Sequence, residues 1–266
     1  MDLHLNGKIA LVTGSTAGIG LATAVQFARE GAQVVLCGRD RDRLAAAAAA
    51  MPEAAAPTAI ACDVLTEAGA QELISEVERR HGGLDILVNN VGGAVGGRLL
   101  ANSTDDDWRQ TFEMNVVQTA RLMRLATPLM AGRPGAAIVN VASMSGWSPQ
   151  MSSSGQYGGA KAALIHDTER WALELAEGGV RVTTVSPGAM QVEGRGWDAY
   201  RNHDPEGYAA YLREALPMGR LGRPKEVADV IVFLASPRAN WINGRMVPVD
   251  GLQQPVRLAR LWTGSH

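Results

Sequence analysis

Cysteine is scarce: the 266 residues hold two, Cys37 and Cys62, each closing an apolar run. Their spacing fits no metal motif and two thiols make no disulfide framework, so buried, reduced thiols in a cytoplasmic protein are expected. An excess of one charge is also missing. Twenty-five Lys and Arg face 27 Asp and Glu, a net charge of −2, which leaves no electrostatic footprint for nucleic acid or an anionic membrane. No apolar run is long enough to span a bilayer. The first such run, Ile9–Val12, passes directly into Thr13-Gly14 and reads as a strand, not as the core of a signal peptide. With 46% hydrophobic and 20% charged residues, disorder is not expected either.

What the sequence has is alternation. Short β-branched runs are expected as strands over Lys8–Thr13, Gln33–Cys37, Ala59–Asp63, Leu84–Asn89, Ala136–Ala142, Val180–Ser186 and Met246–Val249. Helical patterns fall between them, over 18–30, 41–51, 66–81, 105–132, 155–178 and 224–235. The strands are apolar throughout, as in strands covered on both faces. The expected fold is therefore α/β, a single doubly wound (Rossmann) domain over 1–266, with a parallel sheet of about seven strands and helices on both faces. Two stretches break the rhythm. Residues 190–217 lack strand character but carry Trp197, Tyr200, Tyr208 and Tyr211, a candidate substrate lid. The tail over 252–266 has no motif and reads as a flexible end.

The first strand leads into Thr13-Gly14-Ser15-Thr16-Ala17-Gly18-Ile19-Gly20. Gly14 permits a tight turn, Gly18 a close approach to a pyrophosphate, and Gly20 the packing of helix on strand; the helix N-terminus offers N–H groups to phosphate. A glycine-rich turn alone can be ordinary loop chemistry. Dinucleotide choice is set at the end of the second strand, Cys37-Gly38-Arg39-Asp40. Glycine stands where an acid would hold a ribose 2′-hydroxyl, and Arg39 can fork onto a 2′-phosphate. NADP(H) is preferred on this reading and NAD(H) stays possible, since Arg39 can be a plain turn residue and Asp40 can pair with it or turn inward.

Tyr157 and Lys161 stand four apart in a helical stretch and share a face. A neighbouring ammonium lowers a phenol's pKa toward working pH, so such a tyrosine can give a proton to a carbonyl or take one from an alcohol. Tyr-x-x-x-Lys also arises by chance. Ser143 ends the fifth strand, where open parallel sheets bind ligands, and its hydroxyl can hold a substrate oxygen. Asn89-Asn90-Val91-Gly92-Gly93 ends the fourth strand in the same zone. Asn115 lies in an apolar helical stretch and needs polar partners.

From about Gly7 to Gly251 the chain resembles the short-chain dehydrogenase/reductase family, in its shorter single-domain branch, and 3-oxoacyl-[acyl-carrier-protein] reductase-like members in particular. The resemblance rests on Thr13-Gly14-x-x-x-Gly18-Ile19-Gly20, Asp63-Val64, Asn89-Asn90-x-Gly92, Asn115, Ser143, Tyr157-x-x-x-Lys161 and Pro187-Gly188. It implies Tyr157 as acid/base and Ser143 as substrate orienter. Lys161 would lower the tyrosine pKa and bind the nicotinamide ribose, and Asn115 would hold a water in a proton relay. Asp63 and Val64 would face the adenine, with Asn89, Pro187 and Gly188 on the cofactor side. The Pro217–Gly251 region looks like the family's C-terminal part, which commonly builds a homotetramer; a dimer is the other expected assembly. The chain departs from the family in Gly158-Gly159 after Tyr157, in Val192 where a threonine is usual, and in Ala17 where many NADP-preferring members carry a basic residue.

Met144, Trp147, Met151, Met190 and Trp197 would give an apolar substrate pocket, or would pack the lid onto the body. No cationic cluster asks for an anionic substrate, so a neutral ketone or secondary alcohol is expected. The leading expectation is a ketone or 3-oxoacyl reductase, without a metal. Alternatives are an NAD-dependent secondary-alcohol or sugar dehydrogenase, an epimerase or dehydratase on the same scaffold, and a non-catalytic NADP-binding sensor.

Overall fold

A computed structural model describes residues 1–254 apart from Ala54, Met151 and Arg195. Seven strands, β1 (Ile9–Val12), β2 (Gln33–Gly38), β3 (Thr58–Ala61), β4 (Ile86–Asn89), β5 (Ala137–Val141), β6 (Arg181–Pro187) and β7 (Met246–Val249), form one sheet in the order β3-β2-β1-β4-β5-β6-β7. Every pairing is parallel. Strand order reverses between β1 and β4, which opens a crevice at the carboxyl ends of these strands.

Helices α1 (Gly18–Arg29), α2 (Arg41–Ala49) and α9 (Pro224–Ala235) cover one face; α3 (Glu67–His81), α5 (Gln118–Met130) and α6 (Gly155–Leu175) cover the other. Side chains alternate along each strand to feed both layers. Ala10 and Val12 join Phe27 and Ile231 on the first face, while Ile9 and Leu11 join Leu73 and Leu122 on the second. That double burial explains the unbroken apolar strands.

Local signals set the helix ends. The Asp40 side chain accepts from the N–H groups of Asp42 and Arg43, Thr66 caps α3, and Ser154 caps α6. Helix α1 has no side-chain cap, which leaves its first N–H groups open to a ligand. The expected helix over 105–132 is interrupted. Helix α4 (Asp105–Phe112) passes through a π-helical turn at Glu113–Val117 before α5. The expected lid contains two helices, α7 (Gly196–His203) and α8 (Pro205–Ala215), with their own core of Tyr200, Tyr211, Leu216 and Leu221.

Candidate active site

Two cavities lie along the carboxyl ends of the strands and meet at Asn90 and Gly92. The first, of about 360 Å³, is lined among others by Gly14, Thr16, Gly38, Arg39, Arg43, Asp63 and Val64. The second, of about 180 Å³, is lined by Ile19, Ser143, Tyr157, Lys161, Pro187, Gly188 and Met190 with their neighbours. Together they make one groove running from the phosphate loop to the tyrosine.

In the loop Gly14 and Gly18 hold φ of +62° and +57°, which glycine adopts without strain. A Cβ at Gly20 would strike the Gly14 carbonyl, so helix and strand can meet only through glycine there. Asn90 holds the turn from the other side, its Nδ2 donating to the carbonyls of Thr13 at 3.0 Å and Gly14 at 3.2 Å.

At the far end, β5 delivers Ser143 and the first turns of α6 deliver Tyr157 and Lys161. Tyr157 and Ser143 line the same cavity, with the serine hydroxyl near enough to favour the phenolate. Lys161 is 2% exposed; its Nζ lies 5.7 Å from the Tyr157 ring centre and donates to the Val141 carbonyl at 2.8 Å. Burial brings the Lys161 ammonium down to about 7. The expected depression of the phenol by that ammonium is not found here. Burial pushes the Tyr157 hydroxyl up, and the nearby Ser143 hydroxyl offsets this only in part.

Asn115 sits in the π-helical turn, fully buried. Its Nδ2 donates to the carbonyls of Gly93 and Thr111, both at 2.6 Å, and its Oδ1 accepts from the Gly93 N–H at 3.1 Å. The side chain thus bridges its own helical run, at Thr111, and the Gly93 backbone beyond β4. A Cβ at Gly92 would meet Asn115 Oδ1 at 2.6 Å and Lys161 Nζ at 2.9 Å, so Asn115 and Lys161 converge on one point of the groove.

The family model described as Enoyl-(Acyl carrier protein) reductase matches residues 14–251. The chain belongs to the short-chain dehydrogenase/reductase family. Mouse dehydrogenase/reductase SDR family member 4 is 34% identical over 250 residues, 93% of this chain and 87% of the mouse protein. The 3-oxoacyl-[acyl-carrier-protein] reductase FabG of Thermotoga maritima is 32% identical over 94% of this chain and 98% of its own. The crystal structure of L-sorbose reductase from Gluconobacter frateurii, complexed with NADPH and L-sorbose, superposes with a TM-score of 0.89 at 34% identity, covering 96% of this chain and 100% of that one. Members so related make this chain an oxidoreductase that uses a nicotinamide cofactor.

The groove fits such a cofactor: a glycine cradle, an uncapped helix N-terminus and a buried amine lie along its length. Two residues expected to touch the cofactor do something else. Ser15 is fully buried, and its hydroxyl accepts from the Cys37 N–H at 2.9 Å, stapling the loop to β2. Asn89 is buried within the sheet, where its Nδ2 donates to Asn140 Oδ1 at 2.9 Å; Asn140 in turn bonds Thr168. Neighbouring strand residues point to opposite faces, so Asn90 and not Asn89 lines the groove.

The sequence reading overlooked Arg43, which joins Arg39 in the groove because α2 begins where it does. Arg39 lies 3.7 Å from Asp63 and is well exposed. Asp40 is spent on capping α2 and leaves Arg39 unopposed from that side. Cys37 and Cys62 are free and buried, their sulfurs 3.4 Å apart behind the same cavity.

The apolar pocket is corrected in part. Met144 is buried, Trp197 stacks on Tyr211 at 4.6 Å within the 190–217 segment, and the half-exposed Trp147 donates its indole N–H to Ser186 at 2.9 Å. Among the described residues of this set, Met190 alone lines the same cavity as Ser143 and Tyr157. Met151 and the tail residues Arg257, Arg260 and Trp262 lie outside the described residues. Among the described residues no helix is long and apolar enough to cross a membrane.

Proposed function

We propose that the chain is an NADP(H)-dependent reductase of a neutral ketone or 3-oxoacyl group, acting as one cytoplasmic catalytic domain with 190–217 as its lid. The observation that carries this reading is the convergence of Ser143, Tyr157 and buried Lys161 on one cavity, at one end of a groove whose other end holds Arg39 and Arg43. When bound, the nicotinamide supplies the hydride or accepts it back.

The protein's part is placement and a proton. Ser143 holds the substrate oxygen and Tyr157 gives it the phenolic proton, a role suited to a hydroxyl that burial keeps protonated at neutral pH. Lys161, poised near 7, restores that proton through the point it shares with Asn115. At the adenine end Arg39 and Arg43 would hold the 2′-phosphate, beside the space that Gly38 leaves next to Thr16. Gly14, Thr16, Gly18, Ile19 and Gly20 would hold the pyrophosphate, Asp63 and Val64 the adenine, and Pro187 and Gly188 the nicotinamide. L-sorbose, bound in the related structure, is itself a neutral ketone. We also infer a homo-oligomer, from the resemblance of the Pro217–Gly251 region to the family's C-terminal part.

The test is NADPH and NADH consumption across simple ketones, ketoses and 3-oxoacyl thioesters, with Tyr157→Phe alongside. NADPH should serve at least about tenfold better, and the variant should lose about 10²–10⁴-fold in kcat while still binding NADPH. NADH preference, or full turnover by the variant, would overturn the reading.

A further inference from the structure

Past β7 the chain makes a turn in which the Gln253 N–H donates to the Asp250 carbonyl at 3.1 Å and the Leu252 N–H to Asp250 Oδ1 at 3.0 Å. Leu252 holds φ of +61° with its side chain 70% exposed. A leucine in the left-handed region, with its apolar group in water, is a conformation that the surroundings must impose. Its effect is to turn the next side chain inward.

Gln253 is 6% exposed and satisfied on both sides of its amide. Its Oε1 accepts from the Ala189 N–H at 2.7 Å. Its Nε2 donates to the Tyr211 hydroxyl of α8 at 3.0 Å and to Gln150 Oε1 at 3.4 Å. The following residue adds a second tie to the lid, the Gln254 N–H donating to the Ala215 carbonyl at the end of α8 at 2.7 Å. A Cβ at Gly188 would come within 2.8 Å of Gln253 Oε1. One amide thus joins the Pro187–Ala189 turn that lines the catalytic cavity, the loop that follows Ser143, and the lid. Only a carboxamide offers an acceptor and two donors at such a junction.

We propose that Gln253 is a positioning residue for substrate binding: it locks α8 against the catalytic turn and the loop after Ser143, so that the C-terminal segment sets the closed position of the lid. This rests on the reductase reading above. Gln253 touches no reacting atom; it acts through Ala189, Gln150 and Tyr211.

Two variants test it. Gln253→Leu keeps bulk and removes all three side-chain bonds, while Tyr211→Phe keeps the ring stack and removes only the side-chain tie to α8. Both should raise KM for the ketone about five- to tenfold, the loss expected of one buried hydrogen bond. In both, kcat should change less than about threefold and NADPH affinity, by fluorescence titration, less than about twofold. The double variant should be no worse than Gln253→Leu alone, because Tyr211 acts through Gln253. Amide exchange over 205–215 should quicken in both proteins. A lower melting temperature with unchanged KM and unchanged exchange would make the residue merely structural and overturn the proposal. Should the wild type reduce no carbonyl with NADPH, the reductase reading fails by itself, and α8 exchange still decides whether Gln253 holds the lid.

Discussion

Lys161 donates to the carbonyl of Val141 at 2.8 Å, two residues before Ser143 and one helical turn after Tyr157. The lysine therefore ties the strand that presents the serine to the helix that presents the tyrosine. It does so from a fully buried site, with no carboxylate among the described residues bonded to it, and burial brings its ammonium down to about 7. Function and stability oppose each other at this residue.

Lys161→Met should accordingly stabilise the fold while abolishing turnover. An unfolded lysine titrates near ~10.4, so between pH 7 and that value the unfolded chain binds more proton than the folded one. The burial penalty is then full below about pH 7 and gone above about 10.5. Removing the amine should gain on the order of 2–4 kcal/mol near pH 6.5, after allowance for the lost bond to Val141, and nearly nothing at pH 10.5. Chemical denaturation at pH 6.5, 8.5 and 10 reads this directly; a gain independent of pH would sink the idea.

Gly92→Ala tests the shared point of Asn115 and Lys161. The new methyl would lie 2.6 Å from one polar atom and 2.9 Å from the other. The lysine end can swing away while the Asn115 amide, held by three hydrogen bonds, has to shift, so the protein should fold at a cost of about 1–3 kcal/mol. Its kcat should fall at least about tenfold, because the displaced amine no longer meets Asn115. Unimpaired turnover in a folded Gly92→Ala protein would show that their convergence is idle.

The sheet was legible because strands buried on both faces have no polar residues to interrupt them, and each of the seven expected runs holds a strand. Helix starts were legible where a side chain supplies the cap, as at Thr66 and Ser154. The π-helical turn at Asn115 was not, since it exists to meet the Gly93 backbone, a partner some twenty residues away. Asn89 and Asn90 are the same residue type in adjacent places, and only strand register says which one faces the groove. Arg43 depends on where α2 begins, and Gln253 on a left-handed leucine that no local pattern announces.

Cofactor choice should reside in two arginines. Arg39→Ala and Arg43→Ala should each weaken NADPH binding about ten- to fiftyfold and leave NADH within about threefold, as expected for one charge-assisted contact to the phosphate. The NADPH loss should shrink at high salt, because Arg39 and its partners are exposed. An acid at Gly38 would complete the switch to NADH. Its Cβ would meet Thr16 Cγ2 at 2.6 Å, so Gly38→Asp should work better combined with Thr16→Ala. Equal losses for both dinucleotides would move the phosphate contact elsewhere.

Asp85 offers a test at the opposite edge of the sheet, away from the chemistry. It is 3% exposed, yet accepts from the Ile9 N–H at 2.9 Å, from Arg133 Nε at 3.0 Å and from Lys8 Nζ at 3.4 Å. Burial alone would raise its pKa, but the bonds from Arg133 and Ile9 and the Lys8 charge outweigh it, and the carboxyl titrates below its ordinary value. Since the folded pKa lies below the unfolded one, the stabilisation is whole above the usual carboxylate range and disappears as pH falls through the folded value. Asp85→Ala breaks all three contacts and leaves two cations facing an empty site, a loss of about 3–5 kcal/mol or roughly 10 °C in Tm for a chain of this size. The deficit should be full at pH 7 and narrow below about pH 4 as the wild type loses the same contacts. Turnover at 25 °C should stay within about twofold, because Ser143 beyond the end of β5 and Lys161 on α6 lie at the other edge. A deficit that persists undiminished in acid would mean that the charge on Asp85 contributes nothing and that its shape alone matters.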